Sequence, residues 1–268
     1  MPLRRLLSLL CICVFVVVLV VPAQGKEPVF KHKTLSTWLK KYRDAKPGSS
    51  DEKQSLEAIR NIGTNAVPAL VQMLISRDIN VQQSVANGFE ILGPLGASGI
   101  PALTNLLYGP NPVLNVLAAN SLGYIGRPAM PTLMDALTNH SYNIATLAAL
   151  SLPEMGTNAL PAVPVFLHDL DSRNHFVRER ATDALGNLHL QPDMVVPALT
   201  NLLYDPSITI RCMALGSLSQ FHKEAQPWLP AIVPLLKDSE ENVRISATNA
   251  LCEIDPDAFK RSGLSKNL

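Results

Sequence analysis

The hydrophobic positions of this chain recur with a period of about 33 residues. Six segments each begin with a proline and continue with apolar residues three and four positions apart, as on one face of a helix. Their spacings are 33, 30, 33, 33 and 33 residues. The leading residues are Pro68, Pro101, Pro131, Pro164, Pro197 and Pro230. A proline is tolerated in the first turn of a helix, so each segment predicts a helix that begins near it, which we call helix A.

A second apolar series follows within each repeat and predicts a second helix, helix B. Aliphatic or small residues stand 13 and 17 residues after the proline, and a large apolar residue stands 24 residues after it. Intervals of four and seven place the three positions on one helical face. The 17-residue position holds Val85, Ala118, Ala148, Ala181, Ala214 and Ala247. Gly93, Gly126 and Gly156 directly follow the last periodic residue, which is typical of a helix C-terminus.

One further pair is predicted upstream, so the chain holds about seven helix pairs. Residues 34–62 form a cap pair with Trp38 at the proline site, and the repeat body spans 26–258. The segment 259–268 has no periodicity, so we expect a flexible tail. No alternating apolar pattern bounded by hairpin turns occurs, and strands are not expected. The predicted fold is an all-α, right-handed α-solenoid.

Composition and the N-terminus narrow the function classes. The 268 residues are 47% hydrophobic and carry a net charge of +1, which fits neither a disordered chain nor a nucleic-acid-binding protein. Residues 1–25 combine Arg4 and Arg5, an apolar run, and small residues around Ala23, the pattern of a signal peptide. We therefore expect export to a periplasmic or secreted location. An uncleaved membrane anchor is the alternative.

The last repeat carries the resemblance to a known family. The segment 230–251, with Asp238 and Arg244 at fixed positions, resembles a HEAT repeat of the short type found in phycobilisome-lyase-type proteins, which attach or isomerise bilins. In that family an aspartate and an arginine at these positions bridge neighbouring repeats. The resemblance therefore implies an inter-repeat ladder of Asp205, Arg211, Asp238, Arg244 and Arg178. Three repeats depart from it, with Gln82, Asn115 and Ala145 at the arginine site.

No motif for catalysis or cofactor binding is present. The chain has no His-x-x-x-His, no His-Glu pair, no nucleophile elbow and no phosphate-binding loop, so we predict no enzyme activity and no cofactor. His140, His168 and His175 fall near the turns of adjacent repeats, and a metal site there is the alternative to solvated histidines. Cys212 and Cys252 lie at different heights on helices B, so free thiols are expected.

The middle of the helix B layer is unusually apolar, and we interpret it as a partner surface. HEAT-like solenoids bind along the concave face that helices B line. The candidate contact residues are Val113, Val116, Leu117, Tyr124, Leu147, Leu150 and Phe176. Packing between helices is the alternative explanation. We expect a non-catalytic, monomeric scaffold that binds a protein or peptide, with a lyase-like or metal-dependent enzyme, or a membrane-tethered assembly factor, as alternatives.

Overall fold

A computed structural model describes residues 26–257, and these form seven antiparallel helix pairs. The predicted signal segment 1–25 and the predicted tail lie outside the described residues. The helices are α1 Leu35–Asp44, α2 Ser50–Ile62, α3 Val67–Leu74, α4 Ile79–Leu92, α5 Ile100–Leu107, α6 Pro112–Ile125, α7 Met130–Leu137, α8 Tyr142–Ser151, α9 Val163–Asp169, α10 His175–Leu188, α11 Pro192–Asn201, α12 Ile208–Ser219, α13 Leu229–Ile232 and α14 Glu241–Ile254. Odd-numbered helices are helices A and even-numbered helices are helices B.

The helix starts follow local sequence signals. In five repeats, helix A begins one residue before the repeat proline, where the missing N–H costs nothing. In the sixth helix pair, α11 begins earlier, at Pro192, and contains Pro197. Helices B begin after side chains that accept a hydrogen bond from a first-turn N–H, as at Asp78, Asn111 and Asn174.

The core is one continuous layer between the two sets of helices. All six residues 17 positions after the repeat proline, from Val85 to Ala247, have no solvent exposure. Helices B pack on one another along the stack from α4 to α14, while successive helices A make far less direct contact within the described residues. Helices B therefore form the inner layer, and the predicted all-α solenoid is confirmed.

A small hairpin precedes the first helix pair, which corrects the expectation that strands are absent. Strand β1 (Val29–Phe30) pairs in antiparallel fashion with β2 (Lys33–Thr34). Lys31 and His32 both adopt positive φ, so the two-residue turn matches the twist of the flanking strands. The Trp38 indole N–H donates to the Phe30 carbonyl at 3.0 Å and fastens the hairpin to α1. A pair this short has no alternating pattern to detect.

Helix α8 is one turn shorter than its neighbours because of Pro153. It ends at Ser151, whereas α6 and α10 each run for 14 residues. Pro153 instead opens a 3-10 turn that ends at the kink at Gly156, and a second 3-10 turn continues to Ala162. A proline inside a helix can bend it or end it, and here the helix ends early. The contact between α8 and α10 is the least extensive between neighbouring helices B from α4 onward, which leaves space between the fourth and fifth helix pairs.

No helix within residues 26–257 is long and apolar enough to cross a bilayer. Cys212 is half-buried and Cys252 is exposed, and neither forms a disulfide.

Candidate functional site

A groove runs along the inner face of the C-terminal half, from α8 to α14, and contains two adjoining pockets. The central pocket, of about 220 Å³, is lined by Tyr142, Thr146, Ala149, Leu150, Pro153, Glu179, Arg180, Asp183, Ala184, Asn187 and Met213. The C-terminal pocket, of about 410 Å³, is lined by Asp183, Gly186, Asn187, Cys212, Met213, Gly216, Ser217, Ser219, Gln220, Ser246, Asn249, Ala250 and Glu253. Asp183, Asn187 and Met213 belong to both, so the pockets form one continuous surface.

Small residues shape the groove floor. A Cβ atom at Gly186 would lie 2.5 Å from the Ser217 hydroxyl, so α10 and α12 approach closely at this point. The Ser217 hydroxyl also donates to the Thr182 carbonyl at 3.0 Å. Gly216 has open space where a side chain would be, and this space is part of the C-terminal pocket. Together with the early end of α8 at Pro153, these residues make the groove concave.

The groove combines apolar surface with unpaired carboxylates. Asp183 is half-buried and, within the described residues, forms no hydrogen bond or ion pair, and the same is true of Glu179. Leu150 and Met213 supply the apolar walls of the central pocket. Carboxylates accept hydrogen bonds, so the arrangement suits a flat, mostly apolar ligand that carries N–H donors. The Cys212 thiol opens onto the same groove.

A separate, larger cavity lies on the turn side of the gap between α8 and α10. We call it the turn-side cavity. It measures about 680 Å³ and is lined by Leu137, Thr138, Asn139, His140, Tyr142, Pro164, Val165, His168, Asp169, Asn174, Val177 and Arg180. Tyr142 and Arg180 also line the central pocket, so these two side chains separate the cavities.

The three histidines considered for metal binding do not converge. His140 and His168 line the turn-side cavity, but His175 is not among its lining residues and stacks on Phe176 with ring centroids 3.9 Å apart. Residues 26–257 contain no group of three or more His, Cys, Asp or Glu side chains placed to hold a metal ion.

The seven predicted partner residues divide into two groups. Val113, Val116, Leu150 and Phe176 are exposed by 53, 42, 56 and 50%. Leu117, Tyr124 and Leu147 are half-buried and pack against the core, as the packing alternative expected. Leu150 is the member of the set that lines the groove.

Sequence reasoning missed the groove's defining carboxylate and its aromatic edge. Neither Asp183 nor Tyr142 is among the residues that the sequence pattern indicates. The Tyr142 ring lies 5.7 Å from that of Phe176 and extends the aromatic surface beside the groove. The sequence does contain a signal for the groove, because Pro153 marks the early end of α8, the helix that bounds the central pocket.

Arginine and aspartate side chains link the last three repeats. Arg178 donates to Asp205 through Nε and Nη2 at 2.8 and 3.1 Å, and Arg211 Nη2 donates to Asp238 at 3.2 Å. Each of these arginines also caps a carbonyl of its own repeat's turn, at Ser172 and at Asp205 respectively. Arg244 caps the Asp238 and Ser239 carbonyls.

The Asp238 carboxylate is held in its charged form. The Glu240 backbone N–H donates to it at 2.9 Å, and this bond, followed by the Arg211 contact, holds the pKa of Asp238 below its usual value, although partial desolvation opposes the effect.

Amides replace the arginines in two earlier repeats. Asn115 Nδ2 donates to the carbonyls of Leu106, Leu107 and Gly109 at 2.6–2.9 Å. Gln82 Nε2 donates to the carbonyls of Leu74 and Ser76. These amides satisfy the turn within their own repeat but are too short to reach the next one.

Comparisons with known proteins place these features in context. Models described as HEAT repeats match residues 100–186, 195–225 and 229–257, together more than half of the chain. The uncharacterised phycocyanin operon protein Z of Pseudanabaena tenuis (strain PCC 7409) is 26% identical over 144 residues, covering 51% of this chain and 71% of that protein.

A solved structure shows the same type of fold. The X-ray structure of E. coli YibA has a TM-score of 0.51 and 19% identity, over 83% of this chain and 81% of that chain. The complex of CpcE and CpcF of phycocyanin lyase from Nostoc sp. PCC7120 has a TM-score of 0.49 and 23% identity, over 57% of this chain and 98% of that chain.

The expectation of a non-catalytic scaffold, with no enzyme activity, is wrong in the light of the phycocyanin operon relative, which favours the lyase-like alternative. The prediction rested on the absence of metal-ligand, nucleophile and phosphate-binding motifs, and the absence of such motifs does not exclude an activity. The resemblance of the repeats themselves is confirmed by the matches across α5 to α14. The chain belongs to the HEAT-repeat family.

Proposed function

We propose that this protein has a lyase-like function, acting on a linear tetrapyrrole (bilin) that is attached to, or rearranged on, a protein substrate. The observation that carries the proposal is the 144-residue similarity to a phycocyanin operon protein. The inner groove supports it independently. A bilin is long and flat and carries pyrrole N–H donors, and the groove offers apolar walls and the Asp183 carboxylate. The two propionate groups of the bilin would point out of the groove to solvent, away from its unpaired carboxylates.

The protein substrate is proposed to dock beside the groove. Val113 and Val116 are exposed on α6, and Phe176 is exposed on α10. Leu150, on the intervening helix α8, continues this apolar surface into the central pocket. Exposed apolar residues on one face are typical of protein-binding surfaces. This arrangement would hold a protein partner against a bilin in the groove. We propose a monomer that binds one partner molecule.

Bilin binding is tested with biliverdin as the probe. The full chain is expected to induce circular dichroism in the visible absorption of biliverdin, because an asymmetric groove fixes one twist of a flexible chromophore. Asp183→Asn keeps the side-chain size and is expected to weaken binding about tenfold, the effect of losing one charge-assisted hydrogen bond. Asp171→Asn, an exposed position outside the groove, is the control. Absence of an induced signal from the wild type would overturn the proposal.

Catalysis is tested in a second step with a bilin and apo-phycocyanin. The expected result is faster formation of phycocyanin that keeps its bilin after denaturation, compared with a reaction without this protein. Leu150→Asp should reduce the rate, because it places a charge where the groove meets the proposed docking surface. An unchanged rate upon adding the wild-type protein contradicts a lyase-like role, even if biliverdin binds.

Export to the periplasm or the exterior is a separate proposal, supported by the pattern of residues 1–25. N-terminal sequencing of the protein from its native source is expected to begin after Ala23 or Gly25. A chain that still begins at Met1 in the membrane fraction would support the anchor instead.

A further inference from the structure

One repeat departs from the other full repeats at two positions that face each other. Five residues after the repeat proline it carries Asp169, and 16 residues after the proline it carries Arg180. The other repeats hold apolar residues at the first position and serine or an apolar residue at the second. These are Met73, Leu106, Ala136, Leu202 and Leu235, and Ser84, Leu117, Leu147, Met213 and Ser246. The two charges form a pair, with Arg180 Nη2 2.8 Å from Asp169 Oδ2.

The fold does not require this ion pair. The side chains of Arg180 and Asp169 are only 8 and 18% exposed, so both charges have lost most of their hydration. Desolvation offsets much of the attraction in a buried pair, and an apolar pair of similar volume commonly packs as well or better. At the equivalent positions the next repeat holds Leu202 and Met213, which are both uncharged. A different reason is therefore needed for a charged pair at this one site.

Most hydrogen-bond donors of the Arg180 guanidinium have no partner in residues 26–257. Of its five N–H groups, one at Nη2 is used by Asp169. Nε is buried without a partner, and Nη1 makes no hydrogen bond to any residue in 26–257. The ladder residue Arg178, two residues earlier on α10, uses all three of its nitrogen atoms. Arg180 is thus a nine-tenths buried cation that Asp169 fixes in place, and several of its hydrogen-bond donors have no partner in residues 26–257.

The surroundings of Arg180 favour an anion. Asp169 is the carboxylate among the residues that line the turn-side cavity, and Arg180 already neutralises it. His140 and His168 supply further possible donors, and Leu137 and Val165 supply apolar surface. The central pocket, on the other side of Arg180, has two unpaired carboxylates and would repel an anion. A volume of about 680 Å³ lies within the range of small-molecule sites.

We propose that the turn-side cavity binds a small apolar molecule through its carboxylate group, with Arg180 as the anchor and Asp169 as the positioning residue. The guanidinium would donate to the carboxylate through nitrogen atoms that Asp169 leaves free, because a planar guanidinium can pair with two carboxylates at once. The apolar body of the ligand would lie against Leu137 and Val165. This site is distinct from the inner groove and does not depend on the proposed bilin function.

The probe for this site is 4-(1-pyrenyl)butyrate, whose fluorescence reports transfer from water to an apolar cavity. Its methyl ester is the neutral counterpart. The full chain is expected to bind the acid at least tenfold more tightly than the ester, as expected for a hydrogen-bonded charge pair. Arg180→Met should remove this preference. Arg173→Met, which removes the same charge from an exposed position outside the cavity, should retain it.

A double variant separates binding from folding. Asp169→Leu together with Arg180→Met reproduces the residue pair of the next repeat, Leu202 and Met213, so the protein is expected to melt at or above the wild-type temperature. It should nevertheless lose the tenfold preference for the acid. Val165→Trp fills the cavity and should block the acid without touching the guanidinium.

Two results would overturn the proposal. One is equal binding of acid and ester by the wild type, and the other is a double variant that still prefers the acid. These two results do not depend on the outcome of the biliverdin experiment, because Asp183 does not line the turn-side cavity. Failure of biliverdin to bind, combined with tight binding of the pyrene acid that depends on Arg180, would reject the lyase-like function and support this site.

Discussion

The N-terminal and C-terminal halves of the repeat body use different side chains to bind the carbonyl groups of the turn within each repeat. From the second to the third pair, α3 to α6, Gln82 and Asn115 bond the turn carbonyls of their own repeat. From the fifth to the seventh pair, α9 to α14, arginines bond the turn and also reach an aspartate of the next repeat. The link therefore needs two residues, an arginine in one repeat and an aspartate in the next. At the aspartate position, the second and third full repeats hold Gly109 and Asn139.

The helix ends differ in a parallel way. Gly93, Gly126 and Gly156 end α4, α6 and the fourth pair with positive φ and ψ near −130°, a region essentially restricted to glycine. His189 ends α10 at φ 51° and ψ 34°, which is ordinary left-handed helix and open to histidine. The glycines therefore allow a turn that the later repeats do not make.

The largest expected effect comes from a charge in the core, which tests whether the halves unfold separately. Ala118 and Ala181 occupy the same repeat position in different halves, and neither has solvent exposure. Either Ala→Asp change should cost at least about 4 kcal/mol, because an unpaired carboxylate is buried. Contacts in a solenoid are mostly between neighbours, so each variant should lose helicity mainly in its own half.

Circular dichroism melts combined with hydrogen exchange measure this difference. Asn201→Asp, at an exposed position, is the control and should melt like the wild type. Loss of protection across the whole chain in both alanine variants would mean that the two halves form one cooperative unit. A wild-type melt for either would reject the register of helices B.

The next largest effect distinguishes the two kinds of turn. Arg178→Ala leaves Asp205 buried beside an empty site and should cost about 3 kcal/mol, the lower end of the range for breaking a buried pair. Asn115→Ala leaves three carbonyls without their donor and should cost about 1–3 kcal/mol.

A double-mutant cycle measured by urea unfolding gives the sharper result. Arg178→Ala and Asp205→Ala should couple strongly, because the ladder is a direct contact. Asn115→Ala and Asp205→Ala should be additive. Equal coupling energies in the two cycles would remove the distinction between a local cap and an inter-repeat link.

Exchanging the helix-ending residues should have a smaller effect. Gly126→Ala forces a side chain into the glycine region and should cost about 1–3 kcal/mol. His189→Gly should change the free energy of unfolding by less than about 1 kcal/mol. Glycine relieves the strain of a side chain at positive φ, but it increases the conformational entropy of the unfolded chain and removes the contact to Gln220. Thermal melts compare the two variants. An equal loss at both positions would mean that the turns are equivalent.

The repeat architecture could be predicted because the same pattern of apolar residues occurs six times along the chain. A single position such as Ala181 carries little information, but its equivalents in every repeat define a face, and that face is fully buried. The early end of α8 was also within reach, since Pro153 interrupts its repeat.

The site could not be predicted by the same reasoning, because it consists of departures from the repeat. Asp169 and Arg180 are far apart in a motif search and meet only when α9 and α10 are packed together. Asp183 is an ordinary surface aspartate in the sequence and becomes a groove residue only beside a shortened α8. The hairpin before α1 was missed because two-residue strands show no periodicity.

The smallest expected effect concerns one octamer that occurs twice, at 101–108 and 197–204. Tyr108 donates its hydroxyl to Asp135 at 2.8 Å, whereas Tyr204 is 67% exposed. Burial, followed by the Asp135 hydrogen bond and its charge, raises the pKa of Tyr108 to about 12. Folding therefore favours the protonated phenol. This contribution is present below pH 10, the ordinary tyrosine pKa, and is lost as the pH rises through 12.

Absorbance of tyrosinate during an alkaline titration tests this difference within identical sequence. Tyr108→Phe should remove the late transition near pH 12, and Tyr204→Phe should leave it in place. Tyr108→Phe should also abolish the part of the stability decline between pH 10 and 12 that belongs to this hydroxyl. If Tyr204→Phe removed the late transition instead, the hydrogen bond to Asp135 would not explain the difference in pKa between the two tyrosines.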